Sequence, residues 1–167
     1  TTKSGRLEGD YRNGVYSFKG VPYAAAPVGK LRWLPPQPVE PWSGVRPVKL
    51  YGAIAPQNIM AGPSDSPGVP NFGDQPQHED CLFLNVWTPG LDDARRPVLF
   101  WIHGGAFIIG SGSEAFLDTG ALVRRGNIVL VSINYRLGAQ GFMNLNEITG
   151  GRIPATGNEG LLDQAFA

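Results

Sequence analysis

Apolar residues run almost without interruption through three short segments in the second half of the chain. These segments are 82–87 (LFLNVW), 98–102 (VLFWI) and 128–135 (IVLVSINY). Short apolar runs rich in β-branched and aromatic side chains are typical of strands. The last two runs have the pattern of strands buried on both faces, which is how parallel strands usually lie. The pattern therefore predicts a β-sheet that contains all three segments.

A helical pattern separates the second strand from the third. Segment 113–126 (SEAFLDTGALVRRG) has Ser113 in the position of an N-cap, arginines in its last turn and Gly126 just past its expected end. The order strand, helix, strand predicts a right-handed crossover and hence a parallel pair of strands. A second helix is expected to begin near Asn158, in the segment NEGLLDQAFA.

The first half of the chain is dominated by turn signals. Asn13-Gly14 lies between two partly alternating runs in 5–23, which predicts an antiparallel hairpin. Prolines recur through 24–47, and they favour irregular, extended backbone because each removes a backbone donor. Residues 56–78 are rich in Pro, Gly and Ser and predict a long loop, a kind of segment that is often functional.

Composition and charge narrow the classes of protein. Lysines and arginines number 14 and so do the acidic residues, and no block of like charge occurs, which argues against nucleic acid and membrane surfaces as partners. The apolar share of 42% favours one globular domain or part of one. A single cysteine, no N-x-Ser/Thr acceptor and no visible signal region favour the cytoplasm and leave the compartment open.

The segment HGGAF, at 103–107, follows the second strand directly and is the first candidate for chemistry. A backbone N–H can act as a preorganised donor when no side chain blocks its approach, so Gly105 and Ala106 are the candidate donors of an oxyanion hole. The expected location, at the carboxyl end of a parallel strand, is where open α/β sheets bind ligands. The alternative is that Gly104 and Gly105 only form a tight turn.

Several motifs occur in a fixed order along the chain. They are GVYSFKGVPYAAAPVGKLRW (14–33), EDCLFLNVW (79–87), PVLFWIHGGAF (97–107), SINYRLGAQGF (132–142) and NEGLLDQ (158–164). Together they resemble the amino-terminal part of type-B carboxylesterases, the family of bacterial p-nitrobenzyl esterases and cholinesterases. The resemblance covers essentially the whole chain.

The resemblance implies an α/β-hydrolase fold, with the antiparallel hairpin and the first strands of a mostly parallel central sheet in this chain. It also implies a Ser, Glu or Asp, and His triad in that chain order. Gly105 and Ala106 match the two glycine or alanine positions of the family's oxyanion hole. By the same match His103 supports the loop rather than acting as a base. Phe107 either flanks the substrate pocket or is a core aromatic.

Three further matches concern structure rather than chemistry. Arg32 and Glu79 match an ion pair that anchors the long loop in the family. Cys81 matches a cysteine that is commonly disulfide-bonded to one at the start of that loop, where this chain reads YGAIAPQ and has no partner. We therefore expect Cys81 to be a buried, unreactive thiol.

The nucleophile motif G-x-S-x-G is missing from the sequence. The expectation is therefore that 1–167 is the amino-terminal portion of one α/β-hydrolase catalytic domain, with nucleophile, acid and base beyond Ala167. By itself the segment is expected to be inactive and to associate with the remaining carboxy-terminal part, on the same chain or on a separate one. The completed protein would hydrolyse a small-molecule carboxylic ester through an acyl-enzyme; the alternative is a non-catalytic, cholinesterase-like binding or adhesion module.

Two other patterns in the sequence are weaker candidates. Residues 110–115 (GSGSEA) fit a dinucleotide fingerprint, but they do not begin where the strand ends and no acidic residue closes the next strand. His78, Cys81 and His103 do not have the spacing of a zinc site. We therefore expect no cofactor and no metal.

Overall fold

Strands dominate the part of the chain that the computed structural model describes, which is residues 2–58 and 75–167. The strands in these ranges are β1 (Arg6–Glu8), β2 (Asp10–Arg12), β3 (Val15–Pro22), β4 (Val45–Pro47), β5 (Phe83–Thr88), β6 (Val98–Ile102) and β7 (Val129–Ile133). The α-helices are α1 (Ala121–Gly126), α2 (Gly138–Phe142), α3 (Leu145–Ile148) and α4 (Glu159–Phe166). Short 3-10 turns lie at Gly29–Leu31 and Ala115–Thr119. Of the predicted long loop, residues 59–74 lie outside the described residues.

The predicted amino-terminal hairpin is confirmed. Strands β2 and β3 pair antiparallel, with Arg12 opposite Val15. The two residues between them, Asn13 and Gly14, have φ values of 52° and 77°. Positive φ at both central positions matches the twist of the flanking strands, which is why Asn-Gly favours this turn.

All three predicted apolar strands lie in one five-stranded sheet of order β2-β3-β5-β7-β6. Strand β5 pairs antiparallel with β3 and with β7, whereas β6 and β7 run parallel, with Ile102 opposite Ile133. The sheet formed by the described residues is therefore mixed, and the parallel pair expected from the crossover is confirmed. A separate parallel pair joins β1 to β4, and β4 lies within the segment 24–47 that was expected to be irregular.

Strand β6 is not buried on both faces in the part of the protein that the structure describes. Strand β6 is the last strand of the sheet, and Val98, Leu99, Phe100 and Ile102 are 40 to 62% exposed. Strand β7 lies between two neighbours, and its Leu130 and Ile133 are almost fully buried. The same apolar pattern thus gives a buried strand only where the fold supplies a second neighbour and covering elements.

The single helix expected over 113–126 is wrong in its first half. A 3-10 turn occupies Ala115–Thr119, Gly120 has a left-handed φ of 62°, and only the following residues form α1. Ser113 is not a helix cap, because its hydroxyl lies 2.8 Å from that of Ser111. Helix α1 ends at Gly126, one residue later than expected. Its C-cap residue, Asn127, has a left-handed conformation.

The helix expected from Asn158 is confirmed as α4. Glu159, in its first turn, is buried and accepts hydrogen bonds from the backbone N–H groups of Thr156 (2.7 Å) and Gly157 (3.0 Å). A carboxylate near a helix N-terminus is also favoured by the helix dipole. Among the described residues no helix has the length and apolar character needed to cross a membrane.

Candidate active site

The HGGAF segment lies in a loop that leaves the carboxyl end of β6 and continues to the crossover. We call residues 103–112 the β6 loop. Strand β7 lies parallel to β6, so the β6 loop and the segment after β7 emerge at the same edge of the sheet. This edge is where the sequence placed the candidate site.

Three consecutive residues of the β6 loop have positive φ. The values are 113° at Gly105, 52° at Ala106 and 62° at Phe107. A Cβ at Gly105 would collide with the carbonyl oxygen of Ile109, whereas a Cβ at Gly104 would meet no atom within 4 Å. The backbone conformation thus requires glycine at position 105 but not at position 104. Positive φ at two non-glycine residues costs on the order of 1–3 kcal/mol each and is concentrated at functional sites.

The peptide planes that carry the two candidate donors are fixed through their carbonyl oxygens. The carbonyl of Gly104 accepts a hydrogen bond from Nδ1 of His103 at 2.8 Å. The carbonyl of Gly105 accepts from the N–H groups of Ile108 and Ile109 at 3.0 and 3.1 Å. In a trans peptide the N–H points opposite to the C=O. The N–H groups of Gly105 and Ala106 therefore point away from these bonds, and neither donates to any described residue.

The remainder of the β6 loop is tied to the segment after β7. The carbonyl of Phe107 accepts from the N–H of Gly138 at 2.8 Å. The N–H of Gly112 donates to Oδ1 of Asn134 at 2.7 Å. Both ends of the turn that carries the candidate donors are thus anchored to the same neighbouring segment.

A buried polar network fixes the end of the β6 loop on the sheet. The carbonyl of Gly112 accepts from Oγ of Ser132 (2.6 Å) and Nδ2 of Asn85 (3.2 Å), and Asn85 also accepts from the N–H of Gly20. Asn85, Ser132 and Asn134 are at most 4% exposed. The sequence analysis did not single out these residues. Their signal was available, because each is a polar residue inside an apolar strand run, where a buried polar group needs partners.

His103 is buried inside the site rather than presented to it. It is 3% exposed, and its ring stacks on that of Tyr135 with centroids 4.4 Å apart. Burial lowers the pKa of His103, with the hydrogen bond to Gly104 acting in the opposite direction. The hydroxyl of Tyr135 donates to the carbonyl of His103 at 3.1 Å. A neutral imidazole whose Nδ1 proton is engaged by a carbonyl suits a supporting role.

Phe107 packs against two other aromatic rings. Its ring lies 4.9 Å from that of Phe142 and 6.5 Å from that of Tyr135, both measured between centroids. It nevertheless remains 47% exposed. Phe107 is thus partly packed, with about half of its surface exposed.

Arg32 and Glu79 form the ion pair suggested by their positions in the sequence. Nε of Arg32 lies 2.8 Å from Oε1 of Glu79, and Nη2 lies 2.6 Å from Oε2. Gln140 donates a further hydrogen bond to Oε1 at 2.9 Å. The hydrogen bond from Arg32 lowers the pKa of Glu79. The pair therefore links the coil after β3 to Glu79, which lies four residues before the start of β5.

Cys81 lies in the core cluster that also contains Ala55, Leu82 and Ile133. It is fully buried, and burial raises the pKa of its thiol well above the ordinary value. Ala55 belongs to the YGAIAPQ segment, so an alanine of that segment lies in the same cluster as Cys81. No group of three or more His, Cys, Asp or Glu side chains suited to a metal ion lies within residues 2–58 and 75–167.

A cavity of about 730 Å³ borders the β6 loop. Its walls include Gln57, Gln77, Ile108, Ile109, Leu137 and Gln140. A second cavity, of about 680 Å³, lies over the hairpin and shares no lining residue with the first. The first cavity is lined by Ile108 and Ile109 of the β6 loop, which follow the candidate donors in the chain.

Comparisons with known proteins show the family to which the chain belongs. The model of the Carboxylesterase family matches residues 1–167. The para-nitrobenzyl esterase of Bacillus subtilis is 42% identical over 168 residues, which cover 100% of this chain and 32% of that protein. The phenmedipham hydrolase of Pseudarthrobacter oxydans is 49% identical over 142 residues, which cover 85% of this chain and 28% of that one.

Solved structures confirm the predicted α/β-hydrolase fold. A carboxylesterase of Geobacillus stearothermophilus superposes with a TM-score of 0.84 at 44% identity, covering 99% of this chain and 32% of that one. A thermophilic p-nitrobenzyl esterase gives a TM-score of 0.85 at 42% identity, with similar coverage. The chain thus spans about a third of the length of the proteins that it matches.

Proposed function

Because the chain belongs to the carboxylesterase family, we propose that it forms the amino-terminal part of a serine carboxylic-ester hydrolase. In this proposal the N–H groups of Gly105 and Ala106 stabilise the oxyanion that forms when the ester carbonyl is attacked. Donors aimed at developing charge are effective because their orientation is fixed before the reaction. The substrate would be a small-molecule carboxylic ester.

The orientation of the two peptide planes is the observation that carries the proposal. Each plane is fixed by hydrogen bonds to its carbonyl oxygen, and each N–H is left without an acceptor among the described residues. Two adjacent N–H groups whose orientation is fixed and that have no acceptor among the described residues suit a bound oxyanion, which favours a ligand-binding role over a simple tight turn. Positive φ at three successive residues supports the same interpretation.

The reaction would follow the acyl-enzyme route. A serine oxygen attacks the ester carbonyl carbon, its proton passes to a histidine base, and the carbonyl π electrons move to the oxygen held by the two donors. Collapse of the tetrahedral intermediate expels the alcohol, which takes up that proton. Water then attacks the acyl-enzyme in the same way and releases the acid. Serine, acid and base would come from the remaining carboxy-terminal part of the protein, on this chain or a separate one.

The other predicted site residues have supporting roles in this proposal. His103 would hold the plane of the Gly104 carbonyl, and Phe107 would flank the bound ester beside the donors. Arg32 and Glu79 would anchor the chain before β5, without contact to the substrate. Burial lowers the pKa of His103, and its Nδ1 is hydrogen-bonded to the Gly104 carbonyl. Both observations support a structural role rather than that of a general base.

Hydrolysis of a p-nitrophenyl ester by the full-length gene product, before and after treatment with a serine-directed organophosphate, tests the proposal. We expect activity that the organophosphate abolishes in proportion to covalent labelling. Absence of any inhibitable activity would overturn the proposal and favour a non-catalytic binding module. Activity that survives complete labelling would exclude a serine nucleophile.

A further inference from the structure

Gln57 makes an unusual contact with the β6 loop. Its side-chain Oε1 accepts from the N–H of Gly110 at 2.8 Å, and its Nε2 donates to the carbonyl of the same residue at 2.9 Å. Nε2 also donates to the carbonyl of Ala55 at 3.0 Å. The amide therefore pairs with Gly110 as a neighbouring strand would, and all of its bonds go to main chain.

Gly110 in turn lies against the peptide that carries the first proposed donor. Its φ is 124°, and a Cβ built there would collide with Nδ1 of His103 and with the carbonyl oxygen of Gly104. The carbonyl of Gly104 and the N–H of Gly105 belong to one planar peptide unit. The position of Gly110 therefore limits how far this peptide can tilt, and Gln57 fixes the position of Gly110.

We propose that Gln57 is a positioning residue for the Gly105 and Ala106 donors, acting through its paired hydrogen bonds to Gly110. This inference rests on the proposed function. Gln57 touches neither donor, so its contribution is the orientation of the peptide rather than contact with the reacting atoms. Small displacements of a preorganised donor weaken transition-state binding more than ground-state binding.

Gln77 provides a matched control on the same side of the site. Its Oε1 accepts from the backbone N–H of Gln57 at 2.7 Å. It therefore holds the same segment of chain, and it makes no hydrogen bond to the β6 loop within the described residues. Loss of Gln77 loosens the segment around Gln57, whereas loss of the Gln57 amide removes the support of Gly110 itself.

The experiment compares Gln57→Met, Gln57→Asn and Gln77→Met in the full-length gene product. Methionine keeps the length of glutamine without the amide, and asparagine keeps the amide but is one methylene too short. We expect both Gln57 variants to lower kcat by about 10- to 100-fold with KM changed less than about threefold. Affinity for a trifluoromethyl ketone transition-state analogue should fall by the same factor as kcat/KM, while Gln77→Met should lower kcat by a smaller factor than Gln57→Met. The asparagine variant keeps the test open if methionine prevents folding.

The outcomes separate the two proposals. An active wild-type protein whose folded Gln57 variants retain kcat and analogue affinity overturns the positioning role alone. An equal loss of kcat in Gln77→Met and Gln57→Met also overturns it, because general tethering of the segment would then be responsible. An inactive wild-type protein overturns the proposed function, and the role of Gln57 with it.

Discussion

Arg136 and Asp163 form a bidentate ion pair between the end of β7 and helix α4. Nε and Nη2 of the guanidinium lie 2.8 and 2.7 Å from the two carboxylate oxygens, and the side chains are 2% and 0% exposed. The backbone N–H of Arg136 also donates to Asp163, and its Nη1 donates to the carbonyl of Leu34. This pair fixes α4 against the segment that holds the β6 loop.

Removing one partner of this pair should destabilise the protein strongly. Asp163→Asn leaves a buried guanidinium without its counterion, and such changes cost about 3–5 kcal/mol. We expect that loss in the free energy of unfolding of the full-length gene product, measured with urea. Asp92→Asn is the matched control, because Asp92 pairs with Arg96 at an exposed position. A loss no larger in Asp163→Asn than in Asp92→Asn would contradict the structural importance of the buried pair.

Gly104 and Gly105 should differ sharply in their tolerance of alanine. Gly105→Ala places a methyl group against the carbonyl of Ile109 at a φ of 113°, so we expect a loss of about 1–3 kcal/mol in unfolding free energy. We also expect kcat to fall about 100-fold or more, because the donor peptide must move. Gly104→Ala meets no neighbouring atom and should leave the free energy of unfolding within about 0.5 kcal/mol of wild type. Equal destabilisation by both substitutions would contradict the backbone geometry described here.

The Arg32–Glu79 pair should contribute to the free energy of unfolding at neutral pH and not at acidic pH. The folded-state pKa of Glu79 is lowered, chiefly by the hydrogen bond from Arg32. A carboxylate of this kind contributes stability above its unfolded pKa, and that contribution is lost as the pH falls through the folded pKa. Urea unfolding of Glu79→Gln should show a small loss at pH 7, smaller than that of Asp163→Asn. The difference from wild type should vanish at low pH; a difference that persists unchanged at pH 3 would contradict this electrostatic origin.

Residues 1–167 expressed alone should not form a stable monomer. Strand β6 is exposed along its length, with Val98, Leu99, Phe100 and Ile102 uncovered. An unpaired edge with exposed apolar side chains promotes association. Light scattering after size-exclusion chromatography should therefore show aggregates, or soluble material only when the remaining part of the protein is co-expressed. A monomer that unfolds cooperatively would contradict the expectation.

Local sequence patterns predicted where strands and turns occur better than they predicted what surrounds each element. Asn13-Gly14 predicted its hairpin because the turn depends only on local backbone preferences. The burial of β6 depends on neighbouring elements, and the described residues supply no element that covers it. The helix predicted over 113–126 is instead interrupted locally, at Gly120.

The candidate site divides in the same way. The sequence singled out Gly105 and Ala106 because small residues after a strand have a recognisable chemical use. It did not indicate Gln57, which reaches Gly110 from a segment 53 residues earlier in the chain. A glutamine in a loop carries no local signal of such a contact. The partners of Gly112 did carry one, as polar residues within apolar runs.

The assignment of Gly105 and Ala106 as oxyanion donors is tested by a structure of the full-length gene product with a covalent phosphonate on its nucleophilic serine. The phosphonyl oxygen mimics the oxyanion of the tetrahedral intermediate. We expect this oxygen to lie about 2.7–3.1 Å from the backbone nitrogens of both Gly105 and Ala106. An adduct whose oxygen is held by other groups, with these two N–H groups directed elsewhere, would contradict it.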